Sequence, residues 1–85
     1  MPTISRFHGI DIVLHYRDHA PPHFHALCAG DEATVGIVDG TVQGALPARA
    51  RALVLRWAAL HRDELLANWE RAMRKERLVS IAPLD

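Results

Sequence analysis

The stretch IDIVLHYR, residues 10–17, alternates in character as the two faces of a half-buried β-strand do. One face would carry Ile10, Ile12, Leu14 and Tyr16, and the other Asp11, Val13, His15 and Arg17. A shorter run at residues 3–7 precedes it, and His8-Gly9 supplies a turn between the two. The beginning of the chain therefore predicts a β-hairpin.

Short apolar runs that have turn residues on both sides indicate further strands. They are residues 23–28, 32–38 and 41–44, with a final edge strand at 78–82 that Pro83 ends. Ala29-Gly30-Asp31 supplies one turn, and Asp39-Gly40 is the two-residue signal for a tight hairpin. Together with the first hairpin, these runs predict a mainly antiparallel, hairpin-rich sheet of about five strands.

Between residues 48 and 75 the chain has neither Gly nor Pro, and its apolar residues recur at helical spacing. A single helix of this length would extend about 42 Å. A globule of this size has a radius of gyration of only about 12 Å. We therefore expect a break near His61-Arg62-Asp63, with Asp63 capping a second helix.

The predicted fold class is α+β, with an antiparallel sheet packed by a C-terminal two-helix hairpin and a final edge strand. Trp57 and Trp69 are in phase with leucines and are expected in the core. The 85 residues allow one domain, residues 1–85, with a single core. The one cysteine, Cys28, excludes an internal disulfide and a Cys-rich zinc module.

Charge and hydropathy narrow the cellular compartment and the classes of partner that we expect. No apolar stretch approaches the roughly 18–20 residues of a bilayer span, and no signal-peptide pattern begins the chain, so we expect a cytoplasmic protein. The formal net charge is zero, but residues 1–45 carry net −3 and residues 46–85, with eight bases and five acids, net +3. The helical half could face something acidic, although mixed charges are more typical of a solvated surface. Nucleic-acid binding is permitted by this balance and not indicated by it.

The run Asp18-His19-Ala20-Pro21-Pro22-His23-Phe24-His25 gathers three histidines and a carboxylate around two prolines. Imidazole is the commonest metal ligand in proteins and titrates near neutral pH, so such a cluster indicates a site. On a strand, His23 and His25 project from one face and Phe24 from the other. The candidate metal ligands are His23, His25, His19 and His15, with Asp18 at the rim. We expect a divalent ion such as zinc or nickel, with one position open.

Other chemistries fit the same loop. In metal-free RNA cleavage, one histidine would take the 2′-hydroxyl proton, another would protonate the leaving oxygen, and Arg17 or Arg6 would stabilise the phosphorane. The candidate catalytic residues are His19, His23, His25 and Asp18. Nucleophilic attack by Cys28 with His25 is a weaker alternative. In a structural interpretation the histidines are only solvated side chains, and Asp18 only caps the turn.

Three stretches resemble a known family: TISRF with Gly9, the motif DHxPPHFH at residues 18–25, and WAxLHRDELLxNW at residues 57–69. They are similar to the small bacterial family catalogued as domain of unknown function 4160. The resemblance implies no established activity and no catalytic residues. It does imply a gene neighbour of the domain of unknown function 2442 type, hence a toxin–antitoxin-like pair. His8 and His15 fall outside the family motif.

Two functions follow as hypotheses. In the first, the chain is the toxin-like member of a two-protein module, directed at RNA and restrained by its small cognate partner. In the second, it is a non-enzymatic metal-binding or protein-interaction module that uses the same histidines. A homo-oligomer is compatible with both.

Overall fold

A computed structural model describes residues 2–85 as one antiparallel sheet followed by two α-helices. The elements are β1 (Thr3–Phe7), β2 (Ile10–Val13), β3 (His23–Cys28), β4 (Asp31–Gly36), β5 (Val42–Gly44), α1 (Ala48–Leu60) and α2 (Arg62–Met73). The five strands lie side by side in sequence order. The predicted α+β class is confirmed. No helix in the described part of the chain is long and apolar enough to cross a membrane.

Two of the hairpins close as the turn residues predict. His8 and Gly9 join β1 to β2 with φ angles of 51° and 77°, and Ala29 and Gly30 join β3 to β4 with 51° and 86°. Positive φ at both central residues is the two-residue turn that matches the twist of paired strands.

The hairpin predicted at Asp39-Gly40 is wrong in detail. β4 ends two residues early, at Gly36, whose N–H donates to the carbonyl oxygen of Thr41 at 2.9 Å and closes a longer loop. Ile37 keeps a buried side chain, and its N–H donates to the carbonyl oxygen of Pro22 at 3.0 Å in the register of β3 and β4. The ladder ends there because Pro22 has no N–H to donate in return.

The strand predicted over residues 10–17 is also shorter, since β2 ends at Val13. Arg17 adopts a φ of 54°, and its N–H donates to the carbonyl oxygen of Ala72 in α2 at 3.3 Å. This turn leaves Tyr16 44% exposed, against the expected burial, whereas Val13 is buried. Just before the loop of residues 18–22, the chain is therefore hydrogen-bonded to α2 and not to the sheet.

The core lies between one face of the sheet and the two helices. Its centre is Trp57, which is fully buried with its ring centroid 5.3 Å from that of Phe7 and 5.8 Å from that of Phe24. Trp69 is buried too, so the core assignment of both tryptophans is confirmed. Side chains of this size each contribute roughly 1.5–3 kcal/mol on burial.

The helical region breaks where expected, and His61 lies between α1 and α2. Asp63 does not cap α2, because His61 occupies the N-cap position and no side chain caps that end. Asp63 and Glu64 instead lie in the first turn, where carboxylates favour the helix dipole. Nδ1 of His61 lies 2.6 Å from Oε1 of Glu64.

The final edge strand predicted at residues 78–82 is absent. One backbone bond joins this segment to β1, from the N–H of Ile81 to the carbonyl oxygen of Ile4 at 2.8 Å. Helix side chains bond three more backbone groups. Asn68 bonds both groups of Val79, and Trp57 Nε1 donates to the carbonyl oxygen of Ala82 at 2.8 Å. The tail is therefore held by the helices more than by the sheet.

Candidate metal centre

His23 and His25 lie on the outer face of β3, and Phe24 between them is buried in the core. Strand alternation predicts this arrangement, and the structure confirms it. Only 15% of each imidazole is exposed, however. The two rings are recessed in the outer face and are not displayed on it.

Asp18 joins the two histidines. Its Oδ2 lies 2.9 Å from Nε2 of His23 and 3.4 Å from Nε2 of His25. Within residues 2–85 these three side chains form a group in which one potential ligand atom of each lies within 4.8 Å of the others. The fold thus assembles two imidazoles and one carboxylate, all partly buried.

The second ring nitrogen of each imidazole, Nδ1, also has a hydrogen-bond partner. Nδ1 of His23 lies 2.8 Å from the carbonyl oxygen of Pro21, and Nδ1 of His25 lies 3.2 Å from Oε2 of Glu32. The His23 ring also packs against Trp69 of α2, with centroids 5.2 Å apart. Both Nε2 atoms are therefore directed towards Asp18 by contacts that the rest of the fold supplies.

Asp18 is held in its ionised form. Burial, the largest single influence, raises its pKa, but the hydrogen bonds that it accepts from the backbone N–H of His19 and from His25 and His23 together outweigh it. The pKa of Asp18 therefore lies below its usual range. At neutral pH its oxygens act only as acceptors or ligands.

His15 lies beside the group and outside it. Its ring meets that of His25 edge-on, with centroids 4.2 Å apart, so the expected shared face is confirmed. Burial, and next the neighbouring His25, lower the pKa of His15. His15 thus favours the neutral form, and as a metal ligand it stays a prediction.

His19 is exposed, and its backbone N–H, not its ring, contacts Asp18, at 2.8 Å. Its imidazole is not among the three grouped side chains. As a ligand or catalytic group it also stays a prediction.

A cleft of about 400 Å³ opens next to the group. Its lining residues are Asp18, His19, Ala20, Pro21, His23, Thr34, Gly36, Asp39, Thr41 and Gln43. Two of these are carboxylates and none is Lys or Arg. Gly36 leaves space for Asp39, because a Cβ at that position would clash with Oδ1 of Asp39. The wall of the cleft therefore carries two carboxylates and no Lys or Arg to balance them.

A family model for a domain of unknown function, DUF4160, matches residues 9–70. This chain belongs to the DUF4160 family. Comparison with curated proteins and with solved structures finds no match. The matched region of the DUF4160 domain contains the three grouped side chains and the cleft, and it ends before the tail.

Sequence reasoning missed Glu32 in this DUF4160 domain, although a signal was present. A two-residue turn at Ala29-Gly30 places Glu32 opposite Leu27 and hence diagonal to His25, within reach of a long side chain. It missed Asp39 because the loop after β4 is not the tight turn that Asp39-Gly40 predicts.

Two groups invoked in the alternative chemistries lie elsewhere. Cys28 packs against the core, on the face of β3 opposite to His25, so a Cys28–His25 nucleophile is not assembled. Arg6 pairs with Asp11 at 3.0 Å on the exposed part of β1 and β2.

Proposed function

We propose that this DUF4160 domain is a metal-binding module in which Asp18, His23 and His25 hold one divalent transition-metal ion. One observation carries the proposal. Two imidazole nitrogens and a carboxylate oxygen converge within 4.8 Å of one another, and each imidazole is oriented by an acceptor on its far side.

Those acceptors determine where the ring protons lie. The carbonyl oxygen of Pro21 can only accept, so Nδ1 of His23 carries the hydrogen, and the carboxylate of Glu32 has the same effect on Nδ1 of His25. A metal ion binds the lone pair of Nε2 when the ring hydrogen lies on Nδ1. In the structure, Asp18 accepts a hydrogen bond from each ring. On metal binding an ion would replace the two Nε2 hydrogens, and the same three atoms would become its ligands.

The separation of 3.4 Å from the carboxylate oxygen to Nε2 of His25 matches the spacing of ligands around zinc, and the separation of 2.9 Å to Nε2 of His23 would widen by about 0.5 Å. Two ligands at about 2.1 Å from a tetrahedral ion are about 3.4 Å apart.

The ligand set also indicates which ions fit. Imidazole with a carboxylate suits zinc, nickel or ferrous iron, whereas calcium prefers oxygen ligands and Cu(I) prefers sulfur. Three protein ligands leave at least one position open, as in catalytic zinc sites and unlike closed structural ones. A bound ion would supply Lewis acidity, or a water of lowered pKa, beside the cleft.

The role in the cell stays a prediction. A toxin-like member of a two-protein module, directed at RNA, is compatible with a metal site next to a cleft. Because that cleft has no basic side chain in its lining, an RNA phosphate in it would have to be held by the ion.

The experiment is metal analysis of protein purified without an affinity tag, followed by titration of the chelator-treated protein with zinc, nickel and cobalt. We expect one equivalent of metal and loss of stoichiometric binding in Asp18→Asn, His23→Ala and His25→Ala. Glu32→Gln should weaken binding by about 10–100-fold, because it orients a ligand without being one. Binding should also weaken below about pH 6, where imidazole becomes protonated.

His61→Ala is the matched control. His61 also bonds a carboxylate, at 2.6 Å, but it belongs to no group of three potential ligands in the described part of the chain. This variant should keep full affinity. Metal at background level in the purified protein, together with no saturable binding in the titrations, would overturn the proposal.

A further inference from the structure

The outer surface of α1 carries a narrow stripe of alternating basic and apolar residues. It consists of Arg49, Leu53, Arg56 and Leu60, at spacings of four, three and four residues. With 3.6 residues per turn, these four positions fall within about 60° around the helix axis. They form a line about 16 Å long. We call this line the Arg–Leu stripe.

The stripe lies beside the buried side of the helix, and three of its four residues are exposed. The buried side of α1 is formed by Ala50, Val54 and Trp57. Leu60 is 66% exposed, the largest exposed fraction among the exposed large hydrophobic residues of the described chain. Arg49 and Arg56 are exposed as well, and Leu53 is half-buried at the edge of the core.

Within residues 2–85 the arginines of α1 lack partners, as does Arg62 at the start of α2. Arg71 of α2 donates to Asn68, and Arg74, just after α2, pairs with Glu70 and Glu76. The helix α1 contains no acidic residue, and within residues 2–85 neither Arg49 nor Arg56 makes an ion pair or a side-chain hydrogen bond.

Arg49 is moreover in the first turn of α1, where no acidic residue offsets the positive end of the helix dipole. A cation at that end is unfavourable. A carboxylate brought by a partner would relieve this repulsion and pair with guanidinium groups, which bind carboxylates in bidentate fashion.

We propose that the Arg–Leu stripe docks an acidic amphipathic helix of a partner protein. The arginines supply charge complementarity, Leu60 supplies an exposed apolar contact, and the half-buried Leu53 adds a smaller one between them. Exposed alanines beside the stripe, Ala52 and Ala59, allow a second helix to approach closely. A contact about 16 Å long suits a weak, transient complex.

Nucleic acid fits this surface less well. A sugar–phosphate backbone gains nothing from Leu60, and the stripe has no aromatic side chain on which a base could stack. A lipid surface would need an apolar face to insert, but the apolar face of α1 is already buried in the core.

The test uses a synthetic helical peptide of about five turns that carries Glu and Leu in the complementary pattern, with binding followed by fluorescence anisotropy. A second peptide with Lys in place of Glu serves as control. We expect saturable one-to-one binding of the Glu peptide only, weakened at least tenfold by Arg49→Glu with Arg56→Glu. Leu60→Ser should weaken it as well without changing the charge.

Arg51→Glu with Arg77→Glu is the matched control, since it makes the same change of charge on exposed residues outside the stripe. It should bind the Glu peptide within about threefold of wild type, which is under 1 kcal/mol. Equal weakening by both double variants would overturn the proposal. So would absence of peptide binding, tighter binding of a uridine 20-mer through Arg49 and Arg56, or self-association in ultracentrifugation that depends on these two residues.

Discussion

Asn68 and Val79 exchange two hydrogen bonds. Nδ2 of Asn68 donates to the carbonyl oxygen of Val79 at 2.7 Å, and the N–H of Val79 donates to Oδ1 of Asn68 at 2.9 Å. Asn68 is fully buried in α2. Its side chain makes the two backbone hydrogen bonds with Val79 that a neighbouring strand would otherwise make.

Asn68→Ala should therefore lower the free energy of unfolding by about 2–4 kcal/mol, because it leaves backbone groups of Val79 without their partners. Urea unfolding of the two proteins measures the difference. Ser80→Ala, an exposed change in the same segment, should stay within about 0.5 kcal/mol of wild type. If the two variants unfold alike, the Asn68 bonds do not hold the tail.

Phe24→Ala should destabilise the fold by about 3–5 kcal/mol, since the ring is fully buried against Trp57 and its removal leaves a cavity. Chelator-treated protein should be used, so that loss of metal does not contribute. Gln43→Ala on the exposed edge strand is the control and should change stability by less than about 0.5 kcal/mol. A small loss for Phe24→Ala would contradict its place in the core.

Asp39 should make the loop after β4 sensitive to acid. A hydrogen bond from the backbone N–H of Thr41, and then one from its hydroxyl, hold the pKa of Asp39 below its usual value of 3.8. The folded state therefore favours the carboxylate, and this stabilisation is complete above pH 3.8 and lost as the pH falls through the folded pKa.

The comparison is Asp39→Asn, which keeps an oxygen for Thr41 and removes the charge. Wild type should be the more stable protein at about pH 6, and its advantage should shrink as the pH falls below 3.8 towards the lowered pKa of the folded state. The measurement is the free energy of unfolding of both proteins at each pH. A difference that stays constant with pH would mean that the charge of Asp39 contributes nothing.

The toxin-like hypothesis predicts that inducing this chain alone arrests the growth of a bacterial host. Asp18→Asn, His23→Ala and His25→Ala should be harmless while still folding, and His61→Ala should still arrest growth. Purified protein should cut RNA, and chelation should stop a metal-dependent reaction while leaving metal-free acid–base cleavage, with its bell-shaped pH profile, intact. Growth unaffected by folded wild type, with no RNA cut, would rule out this role.

Period and turn chemistry predict most of the fold. The helix break at His61, predicted near His61-Arg62-Asp63, and the turn at Ala29-Gly30 are predictable from the sequence because each depends on local chain geometry. Prediction failed where a side chain bonds a distant backbone group. Nothing near residues 78–82 reveals that Asn68 and Trp57 will bond them.

The candidate site is likewise predicted only in part from the sequence. Alternation along β3 places His23 and His25 on one face, and a carboxylate five residues before His23 is an evident neighbour. Sequence spacing could not show that the chain turns at Arg17 so that Asp18 points inwards and the ring of His19 does not join it. That turn depends on a backbone bond to Ala72, far along the chain.

The bond between Ile4 and Ile81 has a consequence for the order of folding. It joins the first strand to the tail, so it closes nearly the whole chain into one loop, and contacts of such long sequence separation form slowly. The contacts that bring Asp18, His23 and His25 together join residues that are much closer in sequence, except for the contacts with α2. The tail should therefore dock after the sheet and helices have formed, and amide exchange should find Ile81 less protected than Phe24.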